Sequence, residues 1–265
     1  MSSLLSLGRV LLGLGFALDG GWWLSTWDVR AAYLDRAGIP SFVIVPFAAT
    51  YLIGGVLVAA GRSTREATLP LMAVAGLIAT LLHTELGPGG IGEYPLDAHA
   101  RVNAQALLIQ IGLVGALMVT FAAPDVFSRV DLRAVVLGRV LLGAFFVCNA
   151  LWQAAYYEAL EASGADPSAT NLFIVIQVVF GMMLAAGSKV RTCVAALALV
   201  SIASMFALHS DFSETAIRPP GAQIHGWFVR TILLAGLIQL AALGAAASAR
   251  FSVPREDASL PGKMD

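Results

Sequence analysis

Apolar segments long enough to cross a bilayer recur along nearly the whole chain, separated by short stretches rich in charged, proline and glycine residues. A transmembrane helix needs about 20 consecutive, mostly apolar residues. Cutting the chain at the polar stretches leaves eight such segments, at residues 4–24, 41–61, 67–84, 102–122, 134–155, 169–187, 191–209 and 226–248. The pattern predicts an all-α integral membrane protein with about eight transmembrane helices.

Composition supports the bilayer as the main partner of this chain. Of the 265 residues, 58% are hydrophobic and only 12% are charged, so apolar side chains exceed what one soluble core of this size requires. The net charge of −1 argues against a nucleic-acid partner, which would need a strongly basic surface. Residues 249–265 are polar and contain two prolines, and we predict a disordered cytoplasmic tail there.

The sequence repeats itself. Residues 8–13, GRVLLG, recur as residues 138–143, an offset of 138 − 8 = 130. Further along the offset becomes 126, at which the AAG of residues 59–61 meets that of residues 185–187. A collinear series of matches across four helices predicts a tandem duplication.

The duplication predicts two four-helix bundles, at residues 1–123 and 134–248. Because each repeat has an even number of helices, the second re-enters the membrane from the same side and the repeats are parallel. Nine basic residues fall on the side that holds both termini: Arg62, Arg65, Arg129, Arg133, Lys189, Arg191, Arg250, Arg255 and Lys263. Fewer basic residues face the opposite side. The positive-inside rule therefore predicts a protein of a bacterial-type inner membrane with both termini in the cytoplasm.

All four histidines of the chain belong to two matching pairs, His83 with His99 and His209 with His225. The separation is 16 residues in both pairs, since 99 − 83 and 225 − 209 are equal. Each pair brackets the loop between the third and fourth helices of a repeat. We therefore expect the two imidazoles of a pair to meet at the extracytoplasmic surface, within reach of one ligand.

Carboxylates accompany these histidines at the same predicted depth, namely Asp19, Glu85 and Asp211. Imidazole and carboxylate together suit a divalent metal, a haem or a quinone head group, and the residues alone leave the three open. A structural polar network is the alternative. The tryptophans of this level, Trp22, Trp23, Trp27 and Trp152, are typical of an aromatic belt at the membrane interface.

Other residues favour structural roles. Arg9 and Arg139 lie about one turn inside the cytoplasmic ends of their helices, where a long arginine can reach phosphate or bond to carbonyls of a neighbouring helix. We read Arg65 and Arg191 as ordinary positive-inside residues. Small residues in the second helices, Gly54, Gly55 and Gly181, predict close helix contact.

Three motifs carry a family resemblance: GRVLLGxxF with a following Trp in a first helix, AAG before an arginine at the end of a second, and a third helix ending in His. In these the chain resembles the DoxX/DoxD-like membrane proteins, over residues 4–122 and again over 134–248. The resemblance implies four-helix units. One branch of that group resembles the membrane subunit of thiosulfate:quinone oxidoreductase, which favours a redox role without carrying over a substrate.

The leading hypothesis from the sequence is therefore an integral subunit of a quinone-linked electron-transfer assembly with a protein redox partner. His83, His99, His209 and His225 would be ligands or proton-transfer groups. The alternative is a non-catalytic scaffold that holds lipid, pigment or a larger complex. A transporter is a third class, disfavoured because polar residues in the middle of the bilayer are scarce. Whether the chain is itself an enzyme stays open.

Overall fold

The computed structural model describes residues 2–36, 38–82, 96–123, 129–158, 166–209 and 220–244. Every regular element in these ranges is helical, as the apolar pattern predicts. The helices are α1 Ser2–Ser25, α2 Trp27–Arg36, a short 3-10 helix Ser41–Val43, α3 Ile44–Ala60, α4 Thr64–Leu82, α5 Leu96–Ala122, α6 Leu132–Ala155, α7 Pro167–Ala185, α8 Val190–His209 and α9 Pro220–Leu243. The predicted tail at 249–265 lies outside the described residues.

Six helices in the described ranges are long and apolar enough to cross a membrane: α1, α3 with the 3-10 turn before it, α5, α6, α7 and α9. The chain is thus a multi-pass membrane protein. The predicted spans at 67–84 and 191–209 correspond to α4 and α8, which are not among the six. In α8 the apolar stretch found is Val190–Phe206, and α4 carries Arg65 and Glu66 in its first turn.

Helix α2 was not predicted, because a search for long apolar windows passes over a short, largely polar helix. It follows α1 directly and is anchored by Leu34, which is buried, while Trp27 packs partly against the core. Helices α5 and α9 each begin six residues before their predicted starts of 102 and 226. Their first turns contain polar residues, which the hydrophobic pattern assigns to loops.

The helices pack in matching pairs. Helix α1 lies against α3 and α9, and α6 lies against α7 and α5. Helix α4 packs between α3 and α5, α8 packs between α7 and α9, and α5 also contacts α9. The first helix of each predicted repeat therefore contacts the fourth helix of the other. The two predicted bundles share helices across their boundary, which the repeat pattern alone did not indicate.

Small residues let α1 and α3, and likewise α6 and α7, approach at backbone distance. Gly13 faces the backbone of Gly55 and Ala59, and Gly143 faces the backbone of Gly181 and Ala185. Such contacts are how helices associate in lipid, where burial of apolar surface gives no advantage. The packing role predicted for Gly55 and Gly181 is confirmed.

Arginines link helix ends at the side of the bundle where α1 begins. Arg139 is buried, and its Nη2 donates to the carbonyl oxygen of Ala185 at 3.3 Å, which confirms the predicted bond to a neighbouring helix. The Arg9 guanidinium lies against Gly61, the left-handed residue (φ 69°) that ends α3. Arg65 does more than a positive-inside residue: its Nε donates to the Phe121 carbonyl oxygen at 3.1 Å, joining α4 to the end of α5.

Candidate functional site

Asp19 is an acidic residue buried inside a membrane-crossing helix. It lies on α1, six residues before the helix ends at Ser25, and it is 2% exposed. Six residues correspond to about 9 Å along the helix axis. An ionisable group at this depth is costly in lipid and persists where it has a partner, so it marks a candidate site.

The partner of Asp19 is His225, the sixth residue of α9. His225 Nδ1 lies 2.9 Å from Asp19 Oδ1. This is a hydrogen-bond distance, and the imidazole Nδ1–H donates when Asp19 is ionised, because an ionised carboxylate can only accept. The Asp19 side chain is 3% exposed and the His225 side chain 32%, so the carboxylate is sealed inside while the imidazole reaches the surface. The pair joins α1 to α9, and hence the two predicted repeats.

Two further polar groups are buried beside this pair, the hydroxyl of Tyr51 on α3 and the indole N–H of Trp23 on α1. Tyr51 Oη and Trp23 Nε1 have no hydrogen-bond partner among the described residues. The rings of Trp23 and Tyr51 are 6.5 Å apart, and Trp23 lies one helical turn from Asp19 on α1. Asp19, Trp23, Tyr51 and His225 are called the Asp19 site below.

Other aromatic contacts hold this site in place. Phe16 packs edge-on against the Tyr51 ring, with ring centres 5.0 Å apart. The Arg30 guanidinium of α2 lies 4.8 Å from the centre of the Trp23 ring, a cation–π contact. Helix α2, which was not predicted from the sequence, therefore contacts the site. Trp23 is buried at 6% exposure, unlike a tryptophan of the interfacial belt.

The positions that the predicted repeat relates to this site carry amides instead. At the offset of 130, Asp19 and Trp23 correspond to Asn149 and Gln153; at 126, Tyr51 corresponds to Gln177. Asn149 Nδ2 donates to Gln177 Oε1 at 2.7 Å, and Gln177 Nε2 donates to Gln153 Oε1 at 2.9 Å and to the Phe173 carbonyl oxygen at 3.2 Å. These three amides, called the Asn149 site below, form a hydrogen-bonded chain of neutral groups.

The packing of the fourth helices corrects the predicted match between His99 and His225. Gly8 of α1 faces Ala235 and Gln239, whereas its equivalent Gly138 faces Gly115 and Val119. The fourth helices are thus related by 120, since 235 − 115 and 239 − 119 agree, and not by the 126 that relates the two histidines.

At an offset of 120 the counterpart of His225 is Gln105, because 225 − 120 = 105. His99 lies six residues earlier, about 9 Å further along α5. The equal spacing of the two histidine pairs therefore does not place their second members at equivalent positions. Gln105, although it lies in the first predicted repeat, is thus a further amide at a position where the Asp19 site has an ionisable group.

Several predicted site residues fall outside the described part of the chain. His83, Glu85 and Asp211 lie outside the described residues, and so do the side chains of His99 and His209, although their backbones belong to α5 and α8. The predicted approach of His83 to His99, and of His209 to His225, stays a prediction. Within the ranges that the structure describes, no group of three or more His, Cys, Asp or Glu could hold a metal ion.

Sequence reasoning did not select Tyr51, Gln153 or Gln177 as site residues. The repeat contained a signal for two of them, because the offset of 126 pairs Tyr51 with Gln177, both polar residues inside apolar second helices. Trp23 was read as a belt residue. Trp23 is buried because α3 packs against α1, and the local sequence around Trp23 does not indicate that contact.

Known proteins give no further guide to the site. Neither the models of protein families, nor the curated proteins, nor the solved structures contain a match to this chain.

Proposed function

We propose that this protein is an integral membrane subunit of a quinone-linked electron-transfer assembly, and that the Asp19 site binds the quinone head group. The observation that carries the proposal is the hydrogen bond between Asp19 and His225, in which the carboxyl group is buried and the imidazole is partly exposed. Ionisable groups within a transmembrane bundle are by default functional, and proton relays are a common use of them.

The residues of the site fit the chemistry of a quinone. Reduction of a quinone adds two electrons and two protons at its two carbonyl oxygens. Hydrogen-bond donors are needed to hold those oxygens, and Tyr51 Oη and Trp23 Nε1 are buried donors with no partner among the described residues. Groups that exchange protons are needed next to them, and the imidazole and carboxylate supply these.

Haem or a metal has less support in the described part of the chain, because its ligands would have to come from outside the Asp19 site. His225 already uses Nδ1 on Asp19, which leaves only Nε2 for another ligand. Asp19 and His225 can exchange protons but do not carry electrons, so the proposal assigns the electrons to a redox centre in a partner protein.

The finer architecture is part of the same proposal: a fused double unit of the DoxX/DoxD-like type with eight crossings. Its support is the matched packing of α1 on α3 and of α6 on α7, down to Gly13 and Gly143. Helices α4 and α8 have 19 and 20 residues. At 1.5 Å per residue this is about 29 Å, close to the thickness of the hydrocarbon core.

The proposed orientation has both termini in the cytoplasm, and it predicts which loops a membrane-impermeant thiol reagent will reach in intact cells. In a variant with Cys148 and Cys193 replaced by serine, Asp28→Cys on α2 should be labelled from outside. Ser188→Cys, between α7 and α8, should be labelled only after lysis. The opposite pattern would invert the topology, and labelling of both in intact cells would contradict the eight-helix arrangement.

Quinone binding is tested on the whole protein in mild detergent, with a benzoquinone carrying a short alkyl tail as the probe. We expect saturable binding, weakened about tenfold or more by Asp19→Asn, because neutralising a charged hydrogen-bonding group removes about 1.5–3 kcal/mol. The substitution should fold, since asparagine occupies the equivalent position 149.

The matched control is Asn149→Ala, which breaks the amide chain of the second half and should leave the affinity for the benzoquinone within about twofold. Absence of saturable binding by the unmodified protein would refute the proposal. The scaffold alternative would then account better for the chain.

A further inference from the structure

The two equivalent sites differ in whether their buried polar groups are satisfied. In the Asn149 site the amide nitrogens of Asn149 and Gln177 donate to other residues of the chain, over donor–acceptor distances of 2.7 to 3.2 Å. In the Asp19 site, Tyr51 and Trp23 are 2% and 6% exposed, yet the hydroxyl and the indole N–H have no partner in the described ranges. Buried polar groups in native proteins are nearly always paired, so two adjacent exceptions require an explanation.

We infer that each chain holds one ligand site and not two, with Trp23 and Tyr51 donating hydrogen bonds to an oxygen-bearing ligand in the Asp19 site while the Asn149 site is a closed structural counterpart. The inference rests on the proposed function for the identity of the ligand. It assigns binding roles to two residues that the repeat pattern and the histidine pairs did not select.

Donor chemistry decides what the Asp19 site can take. An indole N–H is a donor only, and a tyrosine hydroxyl can donate one hydrogen bond. Both groups therefore call for an acceptor, such as a carbonyl oxygen. Trp23 follows Asp19 by one helical turn on α1, and Tyr51 comes from the adjoining α3, so a ligand held by both would stand next to the Asp19–His225 pair.

The Asn149 site lacks each of these properties. Two of its three amide nitrogens already donate within the chain, Asn149 Nδ2 to Gln177 and Gln177 Nε2 to both Gln153 and the Phe173 carbonyl. A ligand would have to break those bonds before making its own. No residue of the Asn149 site exchanges protons near neutral pH, and Gln105 stands where the first site has His225. The duplicated position is thus suited to holding α6 against α7.

The test measures the stoichiometry and affinity of the same tailed benzoquinone by equilibrium binding to the purified whole protein. We expect one molecule bound per chain. Trp23→Phe and Tyr51→Phe should each weaken binding by about threefold to tenfold, the effect of one hydrogen bond. Neither should lower thermal stability, because each removes a buried polar atom that has no partner among the described residues.

The matched control is Gln177→Met, at the position equivalent to Tyr51. It removes bonds that are made within the chain, so it should lower thermal stability and leave affinity within about twofold. Two molecules per chain, or one whose affinity is unchanged in both phenylalanine variants, would overturn the inference and leave quinone binding standing. If the unmodified protein binds no benzoquinone saturably, the inference and the proposed function fail together.

Discussion

Gly20→Ala should destabilise the protein by about 2 kcal/mol, whereas Gly21→Ala, one residue further along α1, should be neutral or slightly stabilising. A Cβ added at Gly20 would lie 2.6 Å from the Leu52 nitrogen and 2.7 Å from the Ala48 carbonyl oxygen. Both are backbone atoms of α3, so the helices would have to move apart, and overpacking of this kind costs about 1–3 kcal/mol.

Gly21 is the matched control, because a Cβ there meets nothing within 4 Å. Alanine also favours the helix by up to about 1 kcal/mol relative to glycine. The measurement is unfolding of each variant in mixed detergent micelles. Equal stability of the two variants would show that α1 and α3 are not in backbone contact at this level, and the placement of Tyr51 beside Asp19 would lose its basis.

The second large effect concerns the Asp19–His225 pair. His225→Leu should lower the free energy of unfolding by about 3 kcal/mol, since it leaves a buried carboxyl group without its hydrogen-bond partner, which costs about 1–3 kcal/mol and more for a charged group. The Asp19 side chain is 3% exposed, so solvent does not readily replace the lost partner. The cost arises from the carboxylate, which is left buried without its partner.

A double-mutant cycle separates this coupling from the loss of packing. Asp19→Asn removes the charge, so His225→Leu added to it should cost about 2 kcal/mol less than it does in the unmodified protein. The cycle is measured without quinone, which makes its outcome independent of the proposed function. If the effects of the two substitutions simply add, the pair contributes nothing to stability, and Asp19 must be held by other groups.

Much of this molecule could be predicted from its sequence, because lipid leaves few structures available. With no water to satisfy the backbone, apolar segments of 20 residues must be helices. The recurrence of GRVLLG predicted corresponding helices, and the small residues Gly55 and Gly181 predicted close contact. Arg139 near a helix end had few partners other than carbonyls, and the structure finds it on Ala185.

The site was predictable only in part. Asp19 and His225 were both selected as chemically unusual residues, but each was assigned to its own repeat, because sequence repeats report which positions correspond and not which copy supplies a neighbour. The alignment of α5 with α9 was also not predicted. The match of His99 with His225 suggested an offset of 126 residues, whereas the packing of the two helices against Gly138 and Gly8 follows an offset of 120.

By itself, therefore, the sequence determined that this protein lies in lipid, that it is helical, and which residues are costly enough in lipid to require a partner. Those properties follow from the free energy of transferring single residues and segments into lipid. Only the tertiary structure decided that α1 packs on α9, that Asp19 pairs with His225 and that Trp23 and Tyr51 are buried beside them. These outcomes depend on side-chain fit between helices distant in sequence, and in a bilayer that fit determines which helices associate.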